Sequence, residues 1–223
     1  MFKNLKNNNM ATSFEDFKQE IIQKILKTKK SESYHSMIVK STNYDELFNV
    51  ISENVSWFAR NKIITYLPEN LTLRGSLDLM NVQITQLPEN LSIGCDLNLT
   101  NTEISQLPAN LKVGGTLCVA GLPITQLPEN LSVGGTLDIR STSIPQLPET
   151  LSVGGDLLLS WSGITKLPKN FSVIGDLFLS SAKKITELPE NLTVKGDLDL
   201  TNTPITMLPA SLSVGKKIIG FKK

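Results

Sequence analysis

The side chains that most often carry chemistry are scarce in this chain: one histidine, His35, and two cysteines, Cys95 and Cys118. They cannot assemble a Cys/His zinc site or a disulfide framework, and Cys118 has no histidine in its own region to act as a base. No Gly-rich phosphate loop and no Ser/His/Asp grouping around His35 can be picked out, so His35 reads as an ordinary linker or surface residue. The carboxylates are more suggestive. Asp78, Asp138 and Asp199 recur at one relative position, and Asp96, Asp156, Asp176 and Asp197 at another. Paired carboxylates can hold calcium or divide into acid and base, but that division requires unlike environments, and a repeated column supplies like ones. The expectation is therefore a non-enzymatic chain with no catalytic residue, metal or cofactor. Its aspartates are read first as structural groups that bond backbone at turns.

The element that positions these aspartates is a repeat. All 14 glycines and all 11 prolines lie at Pro68 or later. In that region Leu-Pro recurs at Leu67, Leu87, Leu107, Leu127, Leu147, Leu167, Leu188 and Leu208, a period of 20 with one inserted residue. Matched dipeptides at a fixed period signal stacked structural units. Within the first unit Leu71, Leu73, Leu77 and Leu79 are separated by even numbers of residues, which puts them on one face of an extended chain, while Pro68-Glu69-Asn70 supplies a polar corner. One unit is one coil. Its few inward aliphatics, worth about 2 kcal/mol each when buried, cannot offset the ordering of its backbone at about 1 kcal/mol or more per residue, so coils must stack and both ends need covers.

Residues 1–10 are read as a disordered tail, 11–60 as a helical N-terminal cap, and 61–223 as the solenoid of about eight coils with a lysine-rich end. Ser13 with Asp16 opens a helical stripe of Phe14, Phe17, Ile21, Ile22, Ile25 and Leu26, and Asn43 with Glu46 opens another through Leu47, Val50, Ile51 and Phe58. Two amphipathic helices joined through Ser31 to Thr42 are expected, with an extended Ser36–Lys40 as one option. At the far end Ile218 occupies the first core position of a further strand beside lysines that discourage end-to-end stacking.

The segment Leu137-Asp138-Ile139 through Thr142, Ile144 and Leu147-Pro148 resembles the leucine-rich repeat core. A 20-residue Leu-Pro unit looks like the bacterial subclass found in YopM and IpaH type effectors. The resemblance covers about residues 61–220. It implies a curved solenoid with a parallel sheet on its concave side, non-enzymatic repeats and binding of proteins. The family's ladder asparagine is replaced by Val82, Thr102, Leu122, Thr142, Ser162, Ala182 and Thr203, so its amide ladder is expected to be missing. The long alternation of N-L-S-V-G-G-D-L-D-L keeps a right-handed β-helix open as the alternative coil shape. The fold class expected is thus an α+β repeat protein, a helical cap followed by a parallel β-solenoid. Nothing after the repeats resembles the ligase domain of the IpaH type.

Outward positions on the L-x-L strands are mostly small or polar. Leu158, Trp161 and Phe178, from adjacent coils, are the exceptions, and large apolar groups at solvent positions mark a contact site. Asp138, Asp156, Asp176, Asp197 and Asp199 surround them, with Arg140 nearby, as an acidic rim. The competing reading has Trp161 folding over its own coil and Phe178 compensating for the insertion at Ala182–Lys184. Net charge is +3 over residues 1–66, −6 over 67–214 and +4 over the tail. An acidic solenoid favours a protein partner with a basic surface. The expected function is a protein-binding module of bacterial effector or phage-inhibitor type, acting by occupying a partner. The alternative is a structural solenoid whose basic helical region, with Lys24, Lys27, Lys29 and Lys30, contacts nucleic acid or a nucleoprotein; nucleic acid is the disfavoured partner. No apolar run reaches the length of a membrane span and no signal peptide is recognised, so the expected location is cytoplasmic, with non-classical delivery into a host cell as the variant of the effector reading.

Overall fold

The computed structural model describes residues 13–28, 31–54, 58–59 and 61–221. The expected tail at 1–10 lies outside them, as do Lys29 and Lys30. Among the described residues the helices α1 (Phe14–Leu26), α2 (Ser31–Lys40) and α3 (Tyr44–Glu53) precede sixteen two-residue strands, β1 to β16. Both expected helix starts hold. Ser13 Oγ accepts the Asp16 amide at 3.2 Å, and Asn43 Oδ1 accepts that of Glu46 at 3.0 Å. Glu46 closes the second cap by accepting the Thr42 amide at 2.6 Å, and that backbone bond, followed by the Thr42 hydroxyl, holds its carboxyl below the usual range.

The joining stretch departs from expectation: Ser31–Lys40 is a helix, neither a plain linker nor extended. It contains no glycine or proline to break it. It has a packing reason to form, because Ile38 is fully buried and Tyr34 meets Phe58 edge-on at 5.7 Å. Around this core Phe17 packs against Phe48, Tyr44 and Tyr66.

From Leu67 the chain winds a parallel β-solenoid in which each coil contributes two strands. Counting coils from each Leu-Pro, coil 1 holds β1 (Thr72–Leu73) and β2 (Leu77–Asp78), and coil 8 holds β15 (Ser213–Val214) and β16 (Ile218–Ile219). The even-numbered strands form one continuous eight-stranded parallel sheet. Each is in register with its counterpart in the next coil, as Leu77 with Leu97 and Leu157 with Leu177. The odd-numbered strands form a second face. A third, largely unpaired side closes the coil, with a single bridge between Gln146 and Lys166. The long alternation of the repeat supplies both paired faces of each coil, the first strand and the second.

Inside, the first strand leucine of every coil from Leu77 to Leu198 is fully buried. At the expected ladder position Thr102, Thr142 and Thr203 instead turn their hydroxyls to the carbonyl three residues back in the same coil, at 2.7–2.8 Å. Coils are nevertheless tied by amides elsewhere. Asn110 donates to Asn90 and Asn90 to Asn70 along the corner that follows each Leu-Pro, at 3.1 and 2.9 Å. Asn101 donates to Asn81 at the opposite turn, at 3.2 Å. Amide ladders therefore exist, displaced to the corners.

The helical cap seals the first coil. An edge strand presents unpaired backbone donors, and α3 meets two of them: the Arg74 amide donates to Asp45 Oδ1 at 2.6 Å and the Asp78 amide to Ser52 Oγ at 3.1 Å. On α1, Glu20 accepts from the Tyr66 hydroxyl and pairs with Lys24 at 2.7 Å. The last described coil is less enclosed: Ile218, in the row where seven leucines are fully buried, is 40% exposed. Among the described residues no helix is long and apolar enough to cross a membrane.

Candidate functional site

The even sheet fixes where each predicted site residue lies. Outward side chains at the position between the strand leucines form a row across the coils. In it Leu158 of β10 (Leu157–Leu158) sits in register with Asp138 on one side and Phe178 of β12 (Leu177–Phe178) on the other, and Phe178 is followed by Asp199. Parallel pairing sets adjacent members about 4.8 Å apart. Leu158 and Phe178 are both half-buried. The structure thus brings two predicted apolar residues together, with an aspartate at each end of the pair.

Trp161 stands at the corner after β10, and its amide donates to the Ser180 carbonyl at 3.1 Å. It is 67% exposed. The same corner in other coils holds Asn81, Asn101, Gly121, Ser141, Ser181 and Asn202, all with positive φ, and Trp161 shares that geometry at φ 61°. Asparagine, glycine and, less well, serine tolerate left-handed backbone; a bulky side chain there is a conformational outlier. The fold needs this corner but supplies no reason for tryptophan in it. The hydroxyls of Ser160 and Ser180 bond each other at 2.8 Å beneath this turn.

The aspartates resolve into two structural roles. In the row before the first strand leucine, Asp156 Oδ1 accepts the Asp176 amide at 2.8 Å, Asp176 that of Asp197 at 2.7 Å, and Asp197 that of Lys217 at 2.9 Å. Each carboxylate ties its coil to the next. In the row between the leucines, Asp78, Asp138 and Asp199 each accept the amide two residues on, at 2.8–3.1 Å, shaping the turn that follows the strand. Both roles match the backbone-bonding reading of these residues.

Asp138 differs from its expected place on an outward acidic rim, because it is only 4% exposed. It is gripped by Arg140, Nε to Oδ1 at 2.9 Å and Nη2 to Oδ2 at 2.7 Å, while Cys118 Sγ lies 3.6 Å from Oδ2. A bidentate pair of this kind balances its own charge, and the Asp138 hydrogen bonds raise the Arg140 guanidinium further above its ordinary value. The acid left beside the apolar pair is therefore Asp156, Asp176, Asp197 and Asp199. Of these Asp176 has a cation at 3.6 Å, the exposed Lys216.

One participant was legible as an irregularity in the repeat but was not singled out. Gly94, Gly114, Gly134 and Gly154 occupy a row on the odd sheet where an added Cβ would lie 2.1–2.3 Å from the carbonyl oxygen of the preceding coil. Ile174 takes the next place in that row and is 47% exposed. There the odd sheet divides into the strands of coils 1–5 and those of coils 6–8, with no pairing between β9 (Ser152–Val153) and β11 (Ser172–Val173). Ile174 thus puts a branched side chain where the preceding coils have glycine, and pairing lapses at these two strands, while the adjoining Gly175 amide still donates to the Gly155 carbonyl at 3.0 Å. Lys195 follows in the row just after β13 (Thr193–Val194), which pairs in register with β11, and the Lys195 amide donates to the Val173 carbonyl at 3.0 Å. The division falls at the same coil boundary as Leu158, Trp161 and Phe178.

A groove of about 1140 Å³ lies elsewhere, over the odd sheet, lined by Thr72, Ser92, Lys112, Ser132 and the Asn90–Asn110 ladder. Its walls are the regular repeat, with none of the departures found at coils 5 and 6. In the cap, Lys24 is held by Glu20 and bonds Thr65 at 3.3 Å, and Lys18 is buried with Nζ on the Ser41 carbonyl at 2.6 Å. The chain matches no known protein family, no curated protein and no solved structure.

Proposed function

We propose that this solenoid is a non-enzymatic protein-binding module that acts by occupying the surface of a partner, with Leu158, Trp161 and Phe178 as its apolar centre and Asp156, Asp176, Asp197 and Asp199 beside them. The observation that carries the reading is Trp161: a large aromatic, 67% exposed, in a left-handed backbone conformation that the other coils fill with asparagine, glycine or serine. Strain retained at an exposed position that packing does not require is a mark of function, and tryptophan is the residue most enriched at the energetic centre of interfaces. The concentration of irregularities at one coil boundary supports the same place. The acidic surround favours a basic partner surface.

The repeat itself is read as kin to the 20-residue leucine-rich repeats of bacterial effectors, and the activity as that of an effector or a phage-type inhibitor. A binding role suits aspartates that are committed to backbone amides and, in Asp138, to an arginine, since acid and base catalysis needs carboxylates in unlike settings. The nucleic-acid alternative draws less support, because Lys24 is engaged by Glu20 and Thr65.

The test is affinity capture from the source cell or its host with wild type, Trp161→Asn and a Leu158→Ser/Trp161→Asn/Phe178→Ser variant, with circular dichroism and thermal unfolding in parallel. A protein captured by wild type and lost by variants that remain folded supports the reading. Undiminished capture by the folded triple variant removes the binding function from this face.

A further inference from the structure

The site has a direction as well as a composition. Asp156, Asp176 and Asp197 form a row along the solenoid axis, bounded by Thr136 before and Lys217 after, and each bonds the next coil's amide through Oδ1. A carboxylate has lone pairs beyond the one such a bond uses. Adjacent members lie about 4.8 Å apart, so the outer two are separated by about 10 Å. Parallel to this row, two residues further along each strand, runs the apolar pair Leu158 and Phe178, about 7 Å away.

A partner that meets both rows must present cations at about 5 Å intervals along one line and apolar groups along a neighbouring line. An extended strand laid along the axis places same-face side chains about 6.7 Å apart, overshooting the three carboxylates by about 4 Å at the third contact. An α-helix advances 1.5 Å per residue, so positions i, i+3 or i+4, and i+7 span about 10.5 Å, within about 1 Å of the aspartate row. Its adjoining stripe supplies the apolar contacts.

Resting on the protein-binding reading, we infer that the occupant of this face is a basic amphipathic helix lying along the solenoid axis. Its Lys or Arg stripe lies over Asp156, Asp176 and Asp197, and its apolar stripe over Leu158 and Phe178 toward Trp161. Lys216, 3.6 Å from Asp176, is the cation that the helix displaces. Charge complementarity sets the partner's sign, and the spacing of the row sets its secondary structure.

The test uses the full chain and three fluorescent synthetic peptides of matched length: a stapled helix with Lys at i, i+3/i+4 and i+7 beside a Leu stripe, the same composition in strict alternation without a staple, and the stapled helix with Glu for Lys. Fluorescence anisotropy is expected to show saturable, salt-sensitive binding of the basic helix, at least about tenfold tighter than either of the others. Asp156→Asn/Asp176→Asn/Asp197→Asn keeps the Oδ1 acceptors while removing the charge, and is expected to weaken that binding about tenfold; Trp161→Asn does likewise. The reversed-charge peptide tests the same contact on unaltered protein should the triple variant misfold. Equal or tighter binding of the alternating or the acidic peptide, or binding of none, overturns the helix. Patch-dependent binding of the alternating peptide would overturn the helix while leaving the protein-binding reading intact.

Discussion

Replacing Trp161 with asparagine separates a binding residue from a structural one by magnitude. About a third of this side chain is hidden, which for a side chain that can bury 150–250 Å² is about 50–80 Å², or about 1–2 kcal/mol at ~25 cal/mol/Å². Because the extended-chain reference exaggerates burial, that figure is an upper bound. Against it stands the left-handed backbone at φ 61°, which costs a bulky residue about 1–2 kcal/mol and is best relieved by glycine or asparagine. The two nearly cancel. Trp161→Asn is expected to change the unfolding free energy by no more than about 1 kcal/mol in either direction, and Trp161→Gly to behave alike, while partner capture is lost. A tryptophan that instead closed the core would cost about 3–5 kcal/mol on truncation. Urea unfolding followed by far-ultraviolet circular dichroism resolves these cases, with Leu157→Ala, at a fully buried position, as the reference for a core loss of about 2–5 kcal/mol. A loss of 3 kcal/mol or more in Trp161→Asn would refute the argument and return Trp161 to the packing of its own coil.

Further outcomes follow from the inter-coil contacts. Gly134→Ala places a Cβ 2.1 Å from the Gly114 carbonyl oxygen, so it is expected to destabilise by at least about 1–3 kcal/mol and to lower amide-exchange protection along the odd sheet; unchanged protection would contradict the close approach. Ile174→Gly restores the glycine that the preceding coils carry in this row, and hydrogen exchange is expected to slow at Ser172 and residue 174 as β9 and β11 pair; unchanged exchange at both would show that Ile174 is not what keeps these strands unpaired. Burial raises the Glu20 carboxyl, but the Lys24 and Tyr66 hydrogen bonds and the Lys24 charge outweigh it, leaving its pKa below the ordinary glutamate range. A depressed carboxyl stabilises the fold above its unfolded pKa and loses that contribution as pH falls through the folded one. The docking of α1 on the first coil is therefore expected to weaken below about pH 4.5, and Glu20→Gln to flatten that pH dependence; an unaltered acid profile would show that the contact does not link to folding.

Much of the fold was legible because a period of 20 residues and a two-residue alternation within it leave few ways to bury the leucines. The N-caps at Ser13 and Asn43 were readable for the same reason, since a short polar side chain three residues ahead of an acid has a local meaning. The helix at Ser31–Lys40 was not, because its stripe is short and its stability comes from Ile38 and Tyr34 meeting residues distant in sequence. The amide ladders escaped too: whether an asparagine bonds the next coil depends on the backbone at its corner, which the family resemblance placed elsewhere. Leu158 and Phe178 could be paired from register alone. That Asp138 is covered by Arg140 could not, because an outward position in a repeat says nothing of a neighbour's reach. The left-handed column explains why Asn, Gly and Ser recur around Trp161, and it turns an unusual residue into a conformational exception.

The division of the odd sheet bears on how the molecule comes apart. A stack of coils behaves as a one-dimensional lattice, in which each unit is held by its neighbours and cooperativity extends only as far as the weakest coupling. Between coils 5 and 6 the pairing of the odd strands lapses, so the bond joining the halves of the array is carried by β10 and β12, the Gly175–Gly155 backbone bond and the side chains around them. Fraying and mechanical opening should arrest or begin at that junction, leaving an N-terminal block welded to its helices and a shorter C-terminal block. A ligand seated across Leu158 and Phe178 would span the junction, and its binding energy would then appear as restored long-range cooperativity, a steeper single transition in place of two.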